Sequence, residues 1–303
     1  MNTWTFRPPT RDDAERVLDL QIRSDIAEYG EGDSELTDLL HEWESIDLSQ
    51  DAWLALDAAG NLAGYAAVLP YGAGLRYMFY ADPALEGAEL GGTLLARCMA
   101  RGRALAPGKT AMLYVAHVNS RDSEILLRAG FRTTRYHFQM RIRLDGPLGE
   151  PRWPEGITVR TAVVGQDEPA VFALIEAAFS RPGRAPQSYE DWEAAMLRAD
   201  IFDPTLWFLA FAGDQLAGAC LCYHYPDGGW CRQLGVAEAW RRRGLGGALL
   251  RHAFLEFKRR GAADVGLGVA GDNPNACALY ENAGMRRARQ YDEYTQPISA
   301  AES

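Results

Sequence analysis

The sequence lacks any run of eighteen apolar residues, and it carries only five cysteines in 303 residues. Without such a run we expect no helix that crosses a bilayer, and the first residues show no basic-then-apolar signal pattern. Positive charge is also in deficit, since 31 lysines and arginines stand against 41 aspartates and glutamates, for a formal net charge of −10. We therefore expect neither a nucleic-acid surface nor an anionic-membrane surface.

The cysteines are odd in number and lie mostly within apolar runs: Cys98, Cys220, Cys222, Cys231 and Cys277. We interpret them as reduced, buried thiols of a cytoplasmic protein. Cys220 and Cys222 fall in a predicted strand, where we expect them to point to opposite faces and to be a poor clamp for one ion. The sequence therefore predicts no metal cofactor.

The chain is long and apolar enough, with a hydrophobic fraction of 48%, to bury two cores of ordinary size. The order of its predicted strands and helices repeats in the second half. Matching residues lie 154 positions apart: Trp53 and Trp207, Gly64 and Gly218, Asn119 and Asn273, Gly130 and Gly284. A duplicated domain is the simplest account. We predict two copies of one α/β (α+β) unit, each a mixed, mostly antiparallel sheet flanked by helices.

A loop in the second half is the main candidate for a binding site. It consists of a strand end, three arginines and the glycine-rich start of an apolar helix: Leu234, Gly235, Val236, Arg241, Arg242, Arg243, Gly244, Leu245, Gly246 and Gly247. Backbone N–H groups at a helix N-terminus favour anions, and glycine lets the main chain approach one closely. Such a loop is also typical of a solvated arginine face. The strand before it and the helix after it favour a pyrophosphate site.

A second pattern lies further along, at the start of another predicted helix. Asn273 is typical of an N-cap and Pro274 of the first helical position, and the helix carries Tyr280. The two patterns, Arg241-x-x-Gly244-x-Gly246 and Asn273-x-x-Ala276-x-x-Leu279-Tyr280-x-x-x-Gly284-Met285, resemble signatures of the GNAT family of acyl-CoA-dependent N-acyltransferases. The resemblance covers about residues 157–297.

The repeat and the proline- and glycine-rich stretch between its copies predict a domain at 1–144, a linker at 145–156 and a domain at 157–303. The resemblance implies that these are tandem GNAT-like domains, the first degenerate and the second catalytic. It implies acetyl-CoA as co-substrate, with the pantetheine arm along residues 234–236, the pyrophosphate on the loop, and Asn273 in contact with the cofactor. It also implies that Tyr280 is the general acid that protonates the leaving sulfur of CoA. The plainer interpretation of Tyr280 is an aromatic residue on the inner face of an amphipathic helix.

The first copy departs from both signatures. Glu86 stands where the loop has its first arginine, Glu89 where it has its first glycine, and Leu126 where the helix has its tyrosine. Carboxylates repel a pyrophosphate, and leucine has no proton to donate. We therefore predict that the first domain is non-catalytic and supports the second. The glycine pair at 91–92 still opens a helix, so weak CoA binding there stays open.

The general base and the acceptor pocket are less determined by the sequence. The candidates for the base are Asp203, Glu238, Asp292, Glu293 and His224, each of which is also typical of a solvated side chain. The predicted acceptor pocket is aromatic: Phe179, Tyr189, Trp192, Phe202, Trp207, Trp230, Tyr291 and Tyr294. Aromatic residues at such positions belong to cores more often than to substrate contacts.

The leading hypothesis is an acetyl-CoA-dependent N-acetyltransferase that acts on the primary amine of a small molecule by direct attack on the thioester. We expect it to be a monomer or a weak homodimer. The alternatives are a protein lysine or N-terminal acetyltransferase, and an acyl-CoA-binding protein without turnover. A dinucleotide-binding oxidoreductase is disfavoured, because the loop lacks the Gly-x-Gly-x-x-Gly spacing and lies late in its domain.

Overall fold

The computed structural model describes residues 4–85, 88–180, 186–197, 201–226 and 228–300. Strands and helices alternate in an order that runs twice along the chain. The first half contains β1 (Thr5–Arg7), α1 (Ala14–Tyr29), α2 (Leu36–Glu44), α3 (Leu48–Asp51), β2 (Ala52–Leu56), β3 (Leu62–Tyr71), β4 (Gly74–Ala81), α4 (Glu89–Leu105), β5 (Thr110–Ala116), α5 (Ser120–Arg128) and β6 (Arg132–Arg143). The second half contains β7 (Ile157–Thr161), α6 (Glu168–Phe179), α7 (Tyr189–Met196), β8 (Trp207–Ala212), β9 (Gln215–His224), β10 (Gly229–Val236), α8 (Leu245–Arg259), β11 (Asp264–Ala270), α9 (Pro274–Asn282) and β12 (Arg286–Pro297).

The chain divides into two compact units, and this division crosses the sequence repeat. Unit 1 comprises Met1–His137 and Arg289–Ser303, and unit 2 comprises Phe138–Ala288. The end of β6 therefore belongs to unit 2, and most of β12 belongs to unit 1. Both strands follow the same helix of the repeat, so either can occupy the same position in a sheet. The linker at 145–156 remains a prediction from the repeat, whereas the boundaries of the two compact units fall within β6 and within β12.

Unit 1 is built on a sheet in the order β1-β2-β3-β4-β5-β12. Neighbouring strands are antiparallel except β4 and β5, which pair in parallel. Eight successive residues of β3 are buried, as expected for a central strand covered on both faces. One core packs around α4 and the other beneath α1 and α2.

Unit 2 repeats this plan in the order β6-β11-β10-β9-β8-β7. Its single parallel pair among the recorded pairings is β10 with β11. Helix α8 is amphipathic and buries eight residues, including Leu249, Phe254 and Phe257, against the sheet. None of the described helices is long and apolar enough to cross a membrane.

Two structural anchors recur in both units. In unit 1 the Arg7 guanidinium donates to both carboxylate oxygens of Asp13 at 2.7 and 2.6 Å, and in unit 2 Arg160 donates to Asp167 at 2.6 and 2.8 Å. Each fork ties the first strand to the start of the first long helix, and charge-assisted bidentate pairs are among the stronger hydrogen bonds.

The helix carrying the second pattern is capped alike in both copies. The Asn119 side chain accepts the N–H of Asp122, and the Asn273 side chain accepts the N–H of Ala276. After the helix, Gly130 and Gly284 have φ values of 90° and 101°, a left-handed conformation that favours glycine.

The structure corrects the expectation for Cys220 and Cys222. Residues i and i+2 of a strand point to the same face, and the two sulfur atoms lie 3.6 Å apart within the unit 2 core. The expectation of opposite faces was wrong because it misapplied the two-residue period. All five cysteines are free and buried, as predicted.

Candidate functional site

A cleft opens in unit 2 where two parallel strands separate. The residue pairs of β10 and β11 are Gly229 with Val265 and Trp230 with Gly266, and the strands diverge beyond them. The register of β10 against β9 shifts between Cys231 and Gln233. Such a bulge bends a strand and increases its twist. The resulting cavity has a volume of about 880 Å³, which lies within the usual range for small-molecule sites.

The arginine and glycine loop forms one end of this cleft. Gly244 caps α8 with a φ of 86°, and Arg242 has a φ of 58°, which is uncommon for a residue with a side chain. A side chain at Gly246 would begin 3.3 Å from Leu279 Cδ2, so Leu279 would have to shift slightly to admit one. The first N–H groups of a helix have no partner within the helix. The loop therefore presents these donors and a partial positive charge to the cavity.

The three arginines of the loop play different structural parts. Arg241 lines the cavity, and its Nε donates to the carbonyl of Val236 at 3.1 Å. Arg242 also lines the cavity. The Arg243 guanidinium lies over the Trp240 ring, 5.0 Å from its centroid. Two of the three are thus placed to meet a ligand in the cleft.

Tyr280 lines the same cavity from α9. Its ring packs against the unit 2 core, and within the described residues its hydroxyl makes no hydrogen bond. Burial raises the pKa of Tyr280, and the nearby thiols of Cys231 and Cys220 add to the effect. The phenol therefore stays protonated at neutral pH and can donate.

Ten of the twelve residues predicted for the site line the cavity. They are Leu234, Val236, Arg241, Arg242, Gly244, Leu245, Gly246, Gly247, Asn273 and Tyr280. The other two are Arg243, which stacks on Trp240, and Gly235, where a side chain would begin 2.8 Å from Ile175 Cδ1 of α6. Their part in binding stays a prediction.

Several lining residues were missed by the sequence interpretation. They lie at the end of α6, in the bulge, after β10, and along β11: Ala178, Ser180, Cys231, Arg232, Trp240, Leu267, Gly268, Val269 and Ala270. The β11 segment could have been found from its place directly before Asn273. The bulge leaves no clear signal in the sequence.

The five candidates for the general base differ in their positions and in their partners. Glu238 lines the cleft. Asp203 is paired with Arg260 at 2.6 Å, and the His224 ring packs edge-on against Phe257. The remaining two belong to unit 1, where Asp292 pairs with His117 and Glu293 with His137.

The predicted aromatic acceptor wall is largely core. Trp192 and Trp207 are each 1% exposed, and their rings pack against each other at a tilt of 57° within a core cluster that includes β9 residues. Tyr294 is buried in the unit 1 core. Phe179 lines the cleft and is 44% exposed. The prediction of a pocket was wrong for Trp192, Trp207 and Tyr294 because they pack into two separate hydrophobic cores. Residue type alone does not distinguish a core from a pocket.

Unit 1 contains a related cavity of different chemistry. Strands β4 and β5 also pair at two positions and then diverge, but β4 keeps a continuous register against β3. Leu126, at the position of Tyr280, is fully buried. Glu89 is the first residue of α4, whereas Glu86 lies outside the described residues.

The unit 1 cavity has a volume of about 550 Å³ and an acidic lining that includes Asp25, Glu28 and Asp122. Burial raises the pKa of Glu28 to about 7, and the charges of Asp122 and Asp25 add to this against a hydrogen bond from Asn119. A polyanion such as a pyrophosphate is poorly matched to these groups.

Known proteins resemble this chain in both sequence and structure. The family described as "Acetyltransferase (GNAT) family" matches residues 170–285. A mycothiol acetyltransferase of Kineococcus radiotolerans is 33% identical over 266 residues, which cover 82% of this chain and 86% of that protein. A mycothiol acetyltransferase of Geodermatophilus obscurus is 35% identical over 176 residues, which cover 55% of this chain and 57% of that protein. The match thus spans little more than half the length of that second relative.

A solved structure extends the likeness to the whole chain. The crystal structure of a GCN5-related N-acetyltransferase from Sphaerobacter thermophilus superposes with a TM-score of 0.86 at 32% sequence identity. The superposition covers 99% of this chain and 97% of that chain.

Proposed function

The chain belongs to the GNAT family of acetyltransferases, and we propose that it transfers an acetyl group from acetyl-CoA to the primary amine of a small molecule. One observation carries this proposal. The N-terminus of α8, which would bind an anion, lines the same unit 2 cavity as Tyr280, whose hydroxyl has no hydrogen-bond partner among the described residues. Binding of a pyrophosphate and protonation of a leaving group are two of the tasks that an acyl-CoA-dependent transfer requires.

Acetyl-CoA would be held by the loop and by β10. The N-terminus of α8, with Arg241 and Arg242 beside it, would meet the pyrophosphate. The pantetheine arm would lie along residues 234–236, where β10 has diverged from β11 and no longer pairs with it. Asn273 caps α9 with its side-chain oxygen, so its contact with the cofactor would come from its remaining groups.

The reaction is a direct attack of the neutral amine on the carbonyl carbon of the thioester. A C–N bond forms, the C–S bond breaks, and its electron pair goes to the CoA sulfur. Tyr280 supplies the proton that makes this sulfur a thiol, and the amine gives up a proton to water. Tyr280 then takes back one proton from water, so the numbers of protons released and consumed in the cycle are equal. The raised pKa of Tyr280 keeps the donor protonated between turnovers.

The nature of the acceptor rests on weaker support. The name of the relatives, mycothiol acetyltransferase, favours a small molecule over a protein as the acceptor. Glu238 is the carboxylate of the five candidates that lines the cleft, and it would attract a cationic amine before the amine is deprotonated. The five buried, free thiols support a reducing, cytoplasmic location.

The deciding experiment measures CoA thiol release from acetyl-CoA with a panel of amines: polyamines, amino sugars, amino acids, aminoglycosides and lysine peptides. We expect release with one class of small amine. Release with peptides alone would move the function to protein acetylation. Tight binding of acetyl-CoA with no release across the panel would favour the binding protein without turnover.

A further inference from the structure

Three cysteines of unit 2 meet in its core. Cys222 lies directly opposite Cys231 in the pairing of β9 with β10, and Cys220 lies two residues before Cys222 on the same strand. Their sulfur atoms are 3.6 Å apart for Cys220 and Cys222 and 3.5 Å apart for Cys222 and Cys231. All three sulfur atoms lie within 4.8 Å of one another. They form a triangle, which we call the thiol triangle.

The size of the triangle suits a metal ion at its centre. Three sulfur atoms that surround one ion in a plane at a metal–sulfur distance of about 2.3 Å lie about 4.0 Å apart. The two edges given above are shorter than that separation by about half an ångström. Small movements of side chains would therefore bring three sulfur atoms into a coordination shell without moving either strand.

The ligand set selects the kind of ion. Thiolates are soft ligands that favour Cu(I) and Zn²⁺, and Zn²⁺ in structural sites takes four ligands. Within the part of the chain that the structure describes, the cluster contains three cysteines and no histidine, aspartate or glutamate as a fourth ligand. A site with three sulfur ligands in an apolar core fits an ion of lower coordination number.

The thiol triangle is also reachable. Cys220 and Cys222 are fully buried, but Cys231 lines the 880 Å³ cleft and is 4% exposed. An ion that enters the cleft meets Cys231 first and then the two sulfur atoms behind it. This path explains how a site inside a core could be filled after folding.

We propose that Cys220, Cys222 and Cys231 form a binding site for one soft monovalent metal ion, Cu(I). Each thiol that becomes a ligand releases its proton, as metal binding to cysteine requires. No electron is transferred, since the ion arrives as Cu(I). The proposal does not depend on the acetyltransferase activity.

The test is anaerobic titration of the reduced protein with Cu(I) in the presence of bathocuproine disulfonate, a chromogenic competitor. We expect one Cu(I) per chain to be withheld from the competitor. Cys222→Ala and Cys231→Ala should each weaken this binding at least 100-fold. Cys98→Ala and Cys277→Ala are matched controls, because both remove a buried thiol outside the triangle, and they should bind as the unaltered protein does.

A second measurement needs no variant and so survives any failure to fold. X-ray absorption of the copper-loaded protein should report a first shell of sulfur alone. Equal copper binding in Cys222→Ala and in the unaltered protein would overturn the proposal, as would nitrogen or oxygen in the first shell. It would also fail if the fully reduced protein, with all five thiols titratable, withheld no Cu(I) from the competitor.

Discussion

The two units build the same wedge between parallel strands and line it with opposite charge. Among the described residues, the charged side chains at the unit 2 cavity are three arginines and one glutamate: Arg232, Arg241, Arg242 and Glu238. The charged side chains described at the unit 1 cavity are five carboxylates and two arginines: Asp25, Glu28, Asp33, Glu42, Asp122, Arg76 and Arg121. The fold thus supplies a cavity in both places, and the side chains decide which ligand each one can accept.

The features that the units share are structural, and the features that differ are chemical. The arginine–aspartate fork, the asparagine cap and the left-handed glycine recur in both. The loop glycine, the tyrosine and the strand bulge occur in unit 2, and their counterparts in unit 1 are Glu89, Leu126 and a regular strand. A duplicated domain has therefore kept its scaffold in both copies and its proposed catalytic groups in one.

The largest expected effect comes from Tyr280→Phe. Loss of the phenolic proton should lower kcat at least about 100-fold, the usual contribution of a general acid, while acetyl-CoA affinity stays within about twofold. Steady-state kinetics with a responsive amine and equilibrium titration of acetyl-CoA measure the two. The matched control is Tyr80→Phe, which removes a tyrosine hydroxyl that lines the unit 1 cavity. Equal losses in the two variants would refute the assigned role.

A smaller effect is expected from Arg242→Ala, which removes one guanidinium from the cleft. Affinity for acetyl-CoA should fall about fivefold, equivalent to about 1 kcal/mol for a partly exposed charge-assisted contact. The loss should shrink as salt concentration rises. Arg243→Ala is the control. That side chain lies on Trp240, so its removal should lower the affinity for acetyl-CoA by less. If Arg243→Ala had the larger effect, the orientation of the loop would be wrong.

The acidic cavity of unit 1 should leave a signature in the pH dependence of stability. The pKa of Glu28 in the folded protein is about 7, above its ordinary value of 4.5, so the folded state binds the extra proton between these pH values. The free energy of unfolding therefore falls by at most about 3 kcal/mol as the pH rises from 4.5 through about 7. Glu28→Gln should raise the unfolding temperature at pH 8 and leave it unchanged near pH 4.

The control for Glu28 is Glu15→Gln, on the exposed side of the same helix, which should show no such pH dependence. Thermal unfolding at both pH values, followed by calorimetry, gives the comparison. A Glu28→Gln variant that melts with the unaltered protein at pH 8 would contradict the assigned charge of the unit 1 cavity.

The smallest effects should be equal in the two units. Arg7→Ala and Arg160→Ala each break one fork, and each should cost about 1 kcal/mol, because both arginines are partly exposed. The forks hold the pKa values of Asp13 and Asp167 below their usual range. Their stabilisation is thus present at neutral pH and lost below about pH 4. A marked difference between the two variants at pH 7 would mean that the scaffold is not shared.

Much of this comparison could be predicted from the sequence. The constant spacing of 154 residues identifies the repeat, and the cap, glycine and arginine patterns place the cleft. Helix α9 begins at Pro274, directly after its cap Asn273, as the residue types predict. These features are local, so a short stretch of sequence is enough to specify them.

Other features depend on contacts between distant residues and could not be predicted. Strands β6 and β12 follow equivalent helices, so no local pattern shows that most of β12 belongs to unit 1 and the end of β6 to unit 2. The bulge at Cys231 and Gln233 depends on how β10 pairs with β9. Trp192 and Trp207 are residue types that also line binding pockets, but here both side chains are buried in a core.

The most direct test of the account is calorimetric titration of acetyl-CoA into the unaltered protein and two exchange variants. Gly244→Glu gives the unit 2 loop the residue of unit 1, and Glu89→Gly does the reverse. A carboxylate and a side chain at a φ of 86° both oppose binding there. The account predicts one site per chain that Gly244→Glu abolishes and Glu89→Gly leaves unchanged. A site that survives Gly244→Glu would place acetyl-CoA elsewhere and contradict the assignment of its pyrophosphate to the loop before α8.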